Sequence, residues 1–388
     1  MRARSMLVLT ALLGIGGFMV GCGSKFELPT ERKAGRVVPQ DGSYQAKATW
    51  AGMDGIQDVL LTQGTGTQLF LLFNHGGSGT APRGGVLDYF QSRKQPVGHS
   101  MLGGLFNPAA LCAGGDGFGG TANRVFVLDQ GDTCLARIYA RTGVCDSSRY
   151  WTNLNYIWRV REYGLLGGDT ISTFTDTTMA FVDGVASDTE GSVYVSGKAI
   201  VFTMSNTSQF LFVRSLVSRV YKYRRGPRYP GVVPADRNLP GAHWHRDTTY
   251  FHTQGSGVGY VNDVRGMAWS NVFPAGLYVA DFGNNSGQKL SDSDTTGFFR
   301  YEQDGDGQSL TAPQDIAVDA SGYVYVCDTG NSRALRFDPS GGYVQRIDVT
   351  LNENSLPLLS PVALAANDSI VFIADRGRGE VIRYERLK

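Results

Sequence analysis

The sequence of 388 residues predicts an all-β protein whose small antiparallel sheets form a propeller, and two observations lead to this prediction. Residues 316–347 contain four short apolar or β-branched runs, separated by turn clusters rich in aspartate, serine and glycine. The residue that ends the second run also recurs along the chain, at Asp281, Asp328 and Asp375, so that each copy lies 47 residues after the previous one. A period of this length with several short strands in each unit is typical of propellers and solenoids.

The repeat extends towards the N terminus at looser spacing, with second runs that end at Asn74, Asp129 and Ser196. Six copies predict a six-bladed β-propeller of four-stranded antiparallel blades. Residues 359–384 supply only three strands to the last blade, whereas residues 44–50 alternate as a strand does. We therefore expect this N-terminal strand to pair into the last blade and close the ring, because closure removes the exposed sheet edges.

Residues 1–21 are predicted to be a lipoprotein signal peptide and not part of the fold. Their apolar run is too short and too rich in glycine for a membrane span, and it ends in MVGC at residues 19–22. This ending resembles a bacterial lipobox, which predicts that Cys22 carries the lipid; the alternative is an ordinary signal peptide cleaved nearby. Residues 22–43 are predicted to be a flexible tether, and residues 44–388 the propeller.

The most regular copy, residues 313–341, has the order Pro-x-x-Ile-Ala-Val-Asp, Tyr-Val-Tyr-Val-x-Asp-Thr-Gly-Asn-x-Arg and Phe-Asp-Pro-x-Gly. This order resembles the NHL repeat of β-propellers. Residues 361–384 are similar, and the copies around Asp129 and Asp281 match in part. The resemblance implies a six-bladed propeller, a fold that hosts binding modules and enzymes alike.

Four cysteines remain besides Cys22, and their number fits an exported protein. The pairing expected is Cys134 with Cys145, across the third and fourth strands of one blade, with Cys112 as a competing partner. Cys327 lies on a predicted buried strand, where a free thiol behaves as a small hydrophobic residue.

The longer spacings indicate insertions, and their predicted positions fall on one face of the propeller. Residues 144–178 and 224–262 are expected between the fourth strand of one blade and the first strand of the next. Residues 75–84, 198–216 and 284–296 are expected between second and third strands, which emerge on the same face. Long loops on a rigid scaffold commonly carry binding groups, although neutral loop growth is the alternative.

The first strands are predicted to line a central channel that opens onto this face. Asp58, Asp183, Arg265 and Asp315 fall at or beside the starts of first strands, and together they predict a channel mouth of mixed charge. Such a mouth can bind a cation or a polar ligand. The alternative is that the carboxylates accept backbone N–H bonds where strands begin.

His243, His245 and His252 form the densest histidine cluster in a chain that has five histidines. Residues 243 and 245 would point to the same side of a strand and could bind a divalent metal, with His252 or Asp247 as a further ligand. The NHL-like resemblance implies that some related propellers are metal-dependent lyases or hydrolases. The cluster lies in a predicted insertion and not on the strands that line the channel. No cofactor is expected other than this possible metal.

Charge argues against a polyanionic partner, because the formal net charge is only +1. Residues 219–229 interleave basic and tyrosine side chains, a pattern that serves nucleic acids in cytoplasmic proteins. Export makes nucleic acid an unexpected partner, and a strand with one solvated face is the simpler interpretation.

The sequence therefore predicts a monomeric propeller outside the cytoplasm, held by a lipid anchor on a bacterial membrane. The outer membrane is the expected location in an organism that has one, because Gly23 and not aspartate follows Cys22. The loop face is expected to bind a protein or a cell-envelope glycan. The alternative is a metal-dependent lyase or lactone-type hydrolase that acts at the channel mouth.

Overall fold

A computed structural model describes residues 42–62, 68–74, 84–90, 99–105, 107–115, 124–130, 158–164, 170–176, 178–204, 212–226, 244–291, 297–347 and 357–387. Within these ranges the regular structure is β-strand, apart from single 3-10 turns at Phe282–Asn284 and Thr329–Asn331. None of the described residues belongs to a helix of the length and apolarity that crossing a bilayer requires.

The described strands pair antiparallel in six sheets of four, and β1 (Tyr44–Ala51) belongs to the last of them. The first sheet contains β2 (Ile56–Leu61), β3 (Gln68–Asn74), β4 (Gly84–Phe90) and β5 (His99–Leu105). The second contains β6 (Pro108–Gly114), β7 (Arg124–Asp129), β8 (Arg159–Gly164) and β9 (Ser172–Phe174). The third contains β10 (Met179–Ser187), β11 (Val193–Met204), β12 (Phe212–Arg225) and β13 (Trp244–Thr253).

The remaining sheets follow the same order along the chain. The fourth contains β14 (Val264–Ser270), β15 (Gly276–Asp281), β16 (Ser286–Leu290) and β17 (Gly297–Tyr301). The fifth contains β18 (Asp315–Val318), β19 (Val324–Asp328), β20 (Arg333–Phe337) and β21 (Tyr343–Arg346). The sixth contains β22 (Pro361–Ala366), β23 (Ile370–Asp375) and β24 (Glu380–Arg386), with β1 paired to β24.

The sheets have a propeller arrangement in which the first strand of each contacts the first strand of the next. Hydrophobic clusters fill the spaces between neighbouring sheets, including the space between the sixth and the first. Second strands such as β15 and β19 are buried along their whole length, because both faces of each sheet are covered. This explains why these strands are continuous apolar runs and not alternating ones.

The recurring aspartate, where it is present, holds the loop that precedes the first strand of its own sheet. Asp328 is fully buried, and its Oδ1 accepts a hydrogen bond from the backbone N–H of Thr311 at 2.6 Å. Asp281 accepts the N–H of Asn262 in the same way, at 2.8 Å. The regular spacing of these aspartates therefore reflects a structural contact that is repeated from sheet to sheet.

We call the side where first strands begin the start face, and the side where they end the end face. The prediction that long connections occupy the start face alone is wrong. β12 and β13 pair through Arg225 and Trp244, so residues 226–243 join a third strand to a fourth at the end face. The prediction failed because the residues of β13, which were expected in a loop, form the fourth strand of the third sheet.

The second sheet also differs from the prediction. Its third strand is β8, which pairs with β7 and places Arg159 and Arg161 3.5 and 3.2 Å from the buried carboxylate of Asp129. Cys134 and Cys145, which were predicted across the third and fourth strands, belong to neither β8 nor β9. Both cysteines are outside the described residues, and their disulfide stays a prediction. Cys112 and Cys327 are buried free thiols.

Candidate functional site

The four residues predicted at the channel mouth lie around one cavity at the start face. This cavity has a volume of about 220 Å³, and its lining includes Asp58, Asp183, Arg265 and Asp315. They come from four different sheets, and each lies on the first strand of its sheet. Binding of a ligand by these residues stays a prediction.

Asp58 connects two neighbouring first strands through its carboxylate. Its Oδ1 accepts a hydrogen bond from the backbone N–H of Val59 at 2.7 Å. Its Oδ2 accepts one from the backbone N–H of Leu111, on the next sheet, also at 2.7 Å. Burial raises the pKa of Asp58 to about 7, against the opposing effect of these two donors.

Asp315 makes the same two contacts between the fifth and sixth sheets. Its Oδ1 accepts the N–H of Ile316 at 2.8 Å, and its Oδ2 accepts the N–H of Leu364 at 2.7 Å. Burial, and next the charge of Asp58, raise the pKa of Asp315 well above its usual range. Both carboxylates therefore hold strand starts, as the alternative interpretation in the sequence analysis describes, and burial raises the pKa of both.

A small ion-pair network occupies the opposite side of the mouth. Arg265 Nη2 donates a hydrogen bond to Asp263 Oδ2 at 2.9 Å, and its Nη1 lies 3.6 Å from Asp183 Oδ1. Lys198 Nζ lies 3.5 Å from Asp263 Oδ1. Burial raises the pKa of Asp183 to about 6, and the charge of Arg265 opposes that rise. Within the described part of the chain Asp183 accepts no hydrogen bond, so its oxygen atoms can accept bonds from a ligand.

Carboxamide side chains complete the mouth, and the sequence analysis missed them. Asn74 Nδ2 donates to Asn107 Oδ1 at 2.6 Å, and Asn107 Nδ2 donates to Gln130 Oε1 at 3.1 Å. Gln130 Nε2 then donates to the backbone oxygen of Val182 at 2.5 Å, which links three sheets. Asn74 ends a second strand and Gln130 follows one, so their positions in the repeat were the signal that could have identified them.

The histidines lie away from this mouth. His245 and His252 are on β13, the outermost strand of its sheet, while His243 is outside the described residues. His252 is fully buried, and its Nδ1 lies 2.7 Å from the backbone oxygen of Gly259. Within the described ranges no three histidine, cysteine, aspartate or glutamate side chains are grouped so that they could hold a metal ion. A metal site at the histidines stays a prediction.

Side chains of the basic and aromatic stretch make contacts within the third sheet and with the second sheet. Arg225 forms an ion pair with the buried Glu162 of β8, and its guanidinium lies 4.8 Å from the ring centre of Trp244. Lys222 is buried, with its Nζ 3.6 Å from Asp188 Oδ2. The stretch is therefore a strand, as expected, but Lys222 and Arg225 make buried contacts and do not form the solvated face that was predicted.

No family model matches the chain, and no curated protein matches it. The resemblance of residues 313–341 to the NHL repeat therefore stays a prediction. One similar solved structure is a catalytically inactive variant of virginiamycin B lyase from Staphylococcus aureus with quinupristin. It is 7% identical, with a TM-score of 0.46, and the match covers 88% of this chain and 99% of that chain.

A second similar structure is a protein of unknown function from Bacteroides caccae. It is 9% identical to this chain, with a TM-score of 0.41. The match covers 79% of this chain and 82% of that chain.

Proposed function

We propose that the chain is a binding protein that takes a protein or a cell-envelope glycan at its start face. One observation carries the proposal: residues of several sheets converge on a polar cavity of about 220 Å³, where Asp183 accepts no hydrogen bond from any described residue. Convergent polar groups on a rigid scaffold are typical of recognition sites. Asp58 and Asp315 hold strand starts, so they support the mouth as well as line it.

The scaffold in this proposal is a closed, six-bladed ring that functions as a monomer. Its support is the pairing of β1 with β24, from Tyr44 opposite Arg386 to Ala51 opposite Glu380. A further support is the cluster in which Trp50 and Ile56 pack with Val362 and Phe372, between the sixth sheet and the first. Lipidation at Cys22 would hold this ring outside the cytoplasm, on the outer membrane where one exists.

The test compares start-face and end-face variants in capture from solubilised native membranes. We expect Asp183→Asn and Arg265→Ala to reduce capture of the partner at least tenfold, because each removes a charged hydrogen-bonding group from the mouth. Asp368→Asn, at an exposed turn of the end face, is the matched control and should bind as the unchanged protein does. Equal capture by all variants would show that the partner does not use the start face.

The second candidate is a lyase or lactone-type hydrolase, which the pKa of Asp58 favours. A carboxyl group with a pKa of about 7 is suited to general acid–base catalysis near neutral pH. No three metal-ligating side chains are grouped within the described residues, and we name no ligands for the metal of a metal-dependent form of this candidate. Purified full-length protein that contains stoichiometric metal, and loses stability on chelation, would favour this candidate over the binding role.

A further inference from the structure

The central channel contains a second cavity, on the other side of Asp58 and Asp315 from the mouth. It has a volume of about 630 Å³ and extends along the first strands to the turns of the end face. All six first strands contribute to its wall, and Asp58 and Asp315 line both this cavity and the mouth. We call it the end-face cavity, with the two carboxyl groups as its floor.

The wall of the end-face cavity is mainly apolar. Its apolar side chains come from different sheets and include Leu60, Leu111, Val185, Met267, Trp269 and Leu364. Its volume lies in the range of about 300–1,000 Å³ that is usual for sites of small organic molecules. The cavity can therefore take the apolar body of a ligand, which the more polar mouth at the start face is not built to do.

The charges on this wall all have the same sign. Four aspartates and no lysine, arginine or histidine are among the lining residues. The two near the end face have cationic neighbours, because Asp188 lies 3.6 Å from Lys222 and Asp319 lies 4.0 Å from Arg336.

The carboxyl groups of Asp58 and Asp315 at the floor differ from those of Asp188 and Asp319 near the end face. No cationic group offsets the effect of burial on Asp58 or Asp315, and their hydrogen bonds come from backbone N–H groups. An uncompensated carboxylate in such a place is costly, and the binding of a cation beside it lowers that cost. Each oxygen atom that accepts one N–H retains capacity for a second hydrogen bond.

From this combination we propose that the end-face cavity binds a small organic amine, whose apolar body lies against the first strands and whose ammonium group donates hydrogen bonds to Asp58 and Asp315. A free metal cation does not match the apolar wall, and an anion does not match the acidic floor. A neutral molecule of the same shape gains the apolar contacts but not the charge pairing. The ammonium group thus determines the specificity.

This site opens at the end face, opposite the partner site proposed at the start face, although Asp58 and Asp315 line both cavities. The ligand reaches it from the end face, past Asp188, Asn271 and Asp319. Loss of partner capture in the Asp183→Asn variant therefore leaves the amine site unaffected, and the failure of one proposal does not imply the failure of the other.

Calorimetry of the full chain with two probes of matched shape, phenylbutylamine and phenylbutanol, tests the proposal. At about pH 8 we expect the amine to bind at least tenfold more tightly than the alcohol. Asp58→Asn should reduce amine affinity about tenfold and leave the alcohol unchanged, whereas Ala113→Phe should remove binding of both, because Ala113 lines the cavity outside the hydrophobic clusters. Asp183→Asn is the control and should bind both probes as the unchanged protein does.

A pH series on the unchanged protein keeps the test decisive if Asp58→Asn does not fold. Amine affinity should rise from about pH 5.5 to 8 while alcohol affinity stays constant, because burial raises the pKa of Asp58 to about 7 and this floor carboxyl group loses its proton across that window. Burial raises the pKa of the Cys112 and Cys327 thiols beside them, so these groups remain neutral. Asp183 titrates at about 6 on the mouth side, and its variant should show the same pH profile.

Three results would overturn the proposal. The first is equal affinity for amine and alcohol, and the second is amine binding that does not change with pH. The third is an absence of binding for both probes at millimolar concentration.

Discussion

Aspartate has two different structural roles in this protein, and its neighbours decide which. Asp328 is fully buried but surrounded by donors: Arg333 Nε at 2.6 Å, Asn331 Nδ2 at 2.8 Å and the N–H of Thr311 at 2.6 Å. Asp58 accepts only two backbone bonds, and burial raises its pKa to about 7. The first arrangement stabilises a charged loop contact, while the second produces a carboxyl group that titrates near neutral pH.

Asp328→Ala tests the first role. We expect it to lower the free energy of unfolding by about 3–5 kcal/mol, because it leaves the buried Arg333 without one of its two carboxylate partners and frees the N–H of Thr311. Urea denaturation measures the change. Asp306→Ala is the matched control on the same face; Asp306 is exposed, and its loss should change stability by less than about 0.5 kcal/mol. Equal effects of the two substitutions would contradict the loop-holding role.

The pKa of Asp58 predicts that stability depends on pH. Its pKa rises from an unfolded value of 3.8 to about 7 in the folded protein, so between these values the folded state holds more protons than the unfolded state. The free energy of unfolding should therefore fall as pH rises through this window, by at most about 1.4 kcal/mol per pH unit for one group. The urea midpoint measured from about pH 4 to pH 8 checks this, and Asp58→Asn should flatten the curve. A midpoint that rises with pH would contradict the assignment.

At the scale of elements, β1 has the largest sequence separation from its partner strand. It pairs with β24, and its Tyr44 hydroxyl lies 2.9 Å from that of Tyr325 in the fifth sheet. The Tyr325 hydroxyl donates in turn to Asp319 Oδ2 at 2.8 Å. The N-terminal strand is therefore held by backbone pairing in one sheet and by side-chain contacts with another.

Trp50 at the end of β1 tests how much this strand contributes. Its side chain is 7% exposed and lies against Phe372 with ring centres 5.6 Å apart. Trp50→Ala should lower the free energy of unfolding by about 3–5 kcal/mol, because it leaves a cavity between the sixth and first sheets. Thr49→Ala on the exposed side of the same strand should have little effect. A loss below about 1 kcal/mol in Trp50→Ala would show that β1 is peripheral to the fold.

At the scale of the whole molecule, the strand order determines where the N-terminal segment joins the propeller. The N–H of Gly42 donates to the backbone oxygen of Leu387 at 3.0 Å, and the N–H of Leu387 donates to Ser43 at 2.7 Å. β1 starts beside the end of β24, so the start of β1 and the end of β24 both lie at the end face. Residue 42, where the described part of the chain begins, therefore lies on the side opposite the channel mouth.

Replacement of Cys22 tests the proposed anchor. Cys22→Ser should move the protein from the membrane fraction to the soluble fraction, because acyl chains contribute about 0.8 kcal/mol for each buried methylene group. Fractionation with immunoblotting measures the distribution, and mass spectrometry of the N-terminal peptide detects the acyl groups. Cys327→Ser is the control, since Cys327 is a buried free thiol within the propeller. A Cys22→Ser protein that stays in the membrane fraction would rule out lipid anchoring at this residue.

The sequence predicted most where contacts are local and repeated. The 47-residue spacing of Asp281, Asp328 and Asp375 revealed the sheets in the C-terminal half, because each aspartate bonds to a loop only 15–19 residues before it. The prediction failed at β8 and β13, whose pairing partners depend on contacts that no repeat in the sequence marks. β8 pairs with β7 and brings Arg159 and Arg161 to the buried Asp129.

For the candidate site, the sequence by itself determined which charged residues occupy the starts of first strands, since that position is set by the repeat. Only the tertiary structure decided what surrounds them. Asp58 and Asp183 have similar positions in the repeat, yet one accepts two backbone N–H groups and the other faces Arg265. The hydrogen-bonded carboxamide side chains of the mouth and the end-face cavity likewise arise from residues on several sheets. Their chemistry depends on distances across the channel, which no local pattern in the chain records.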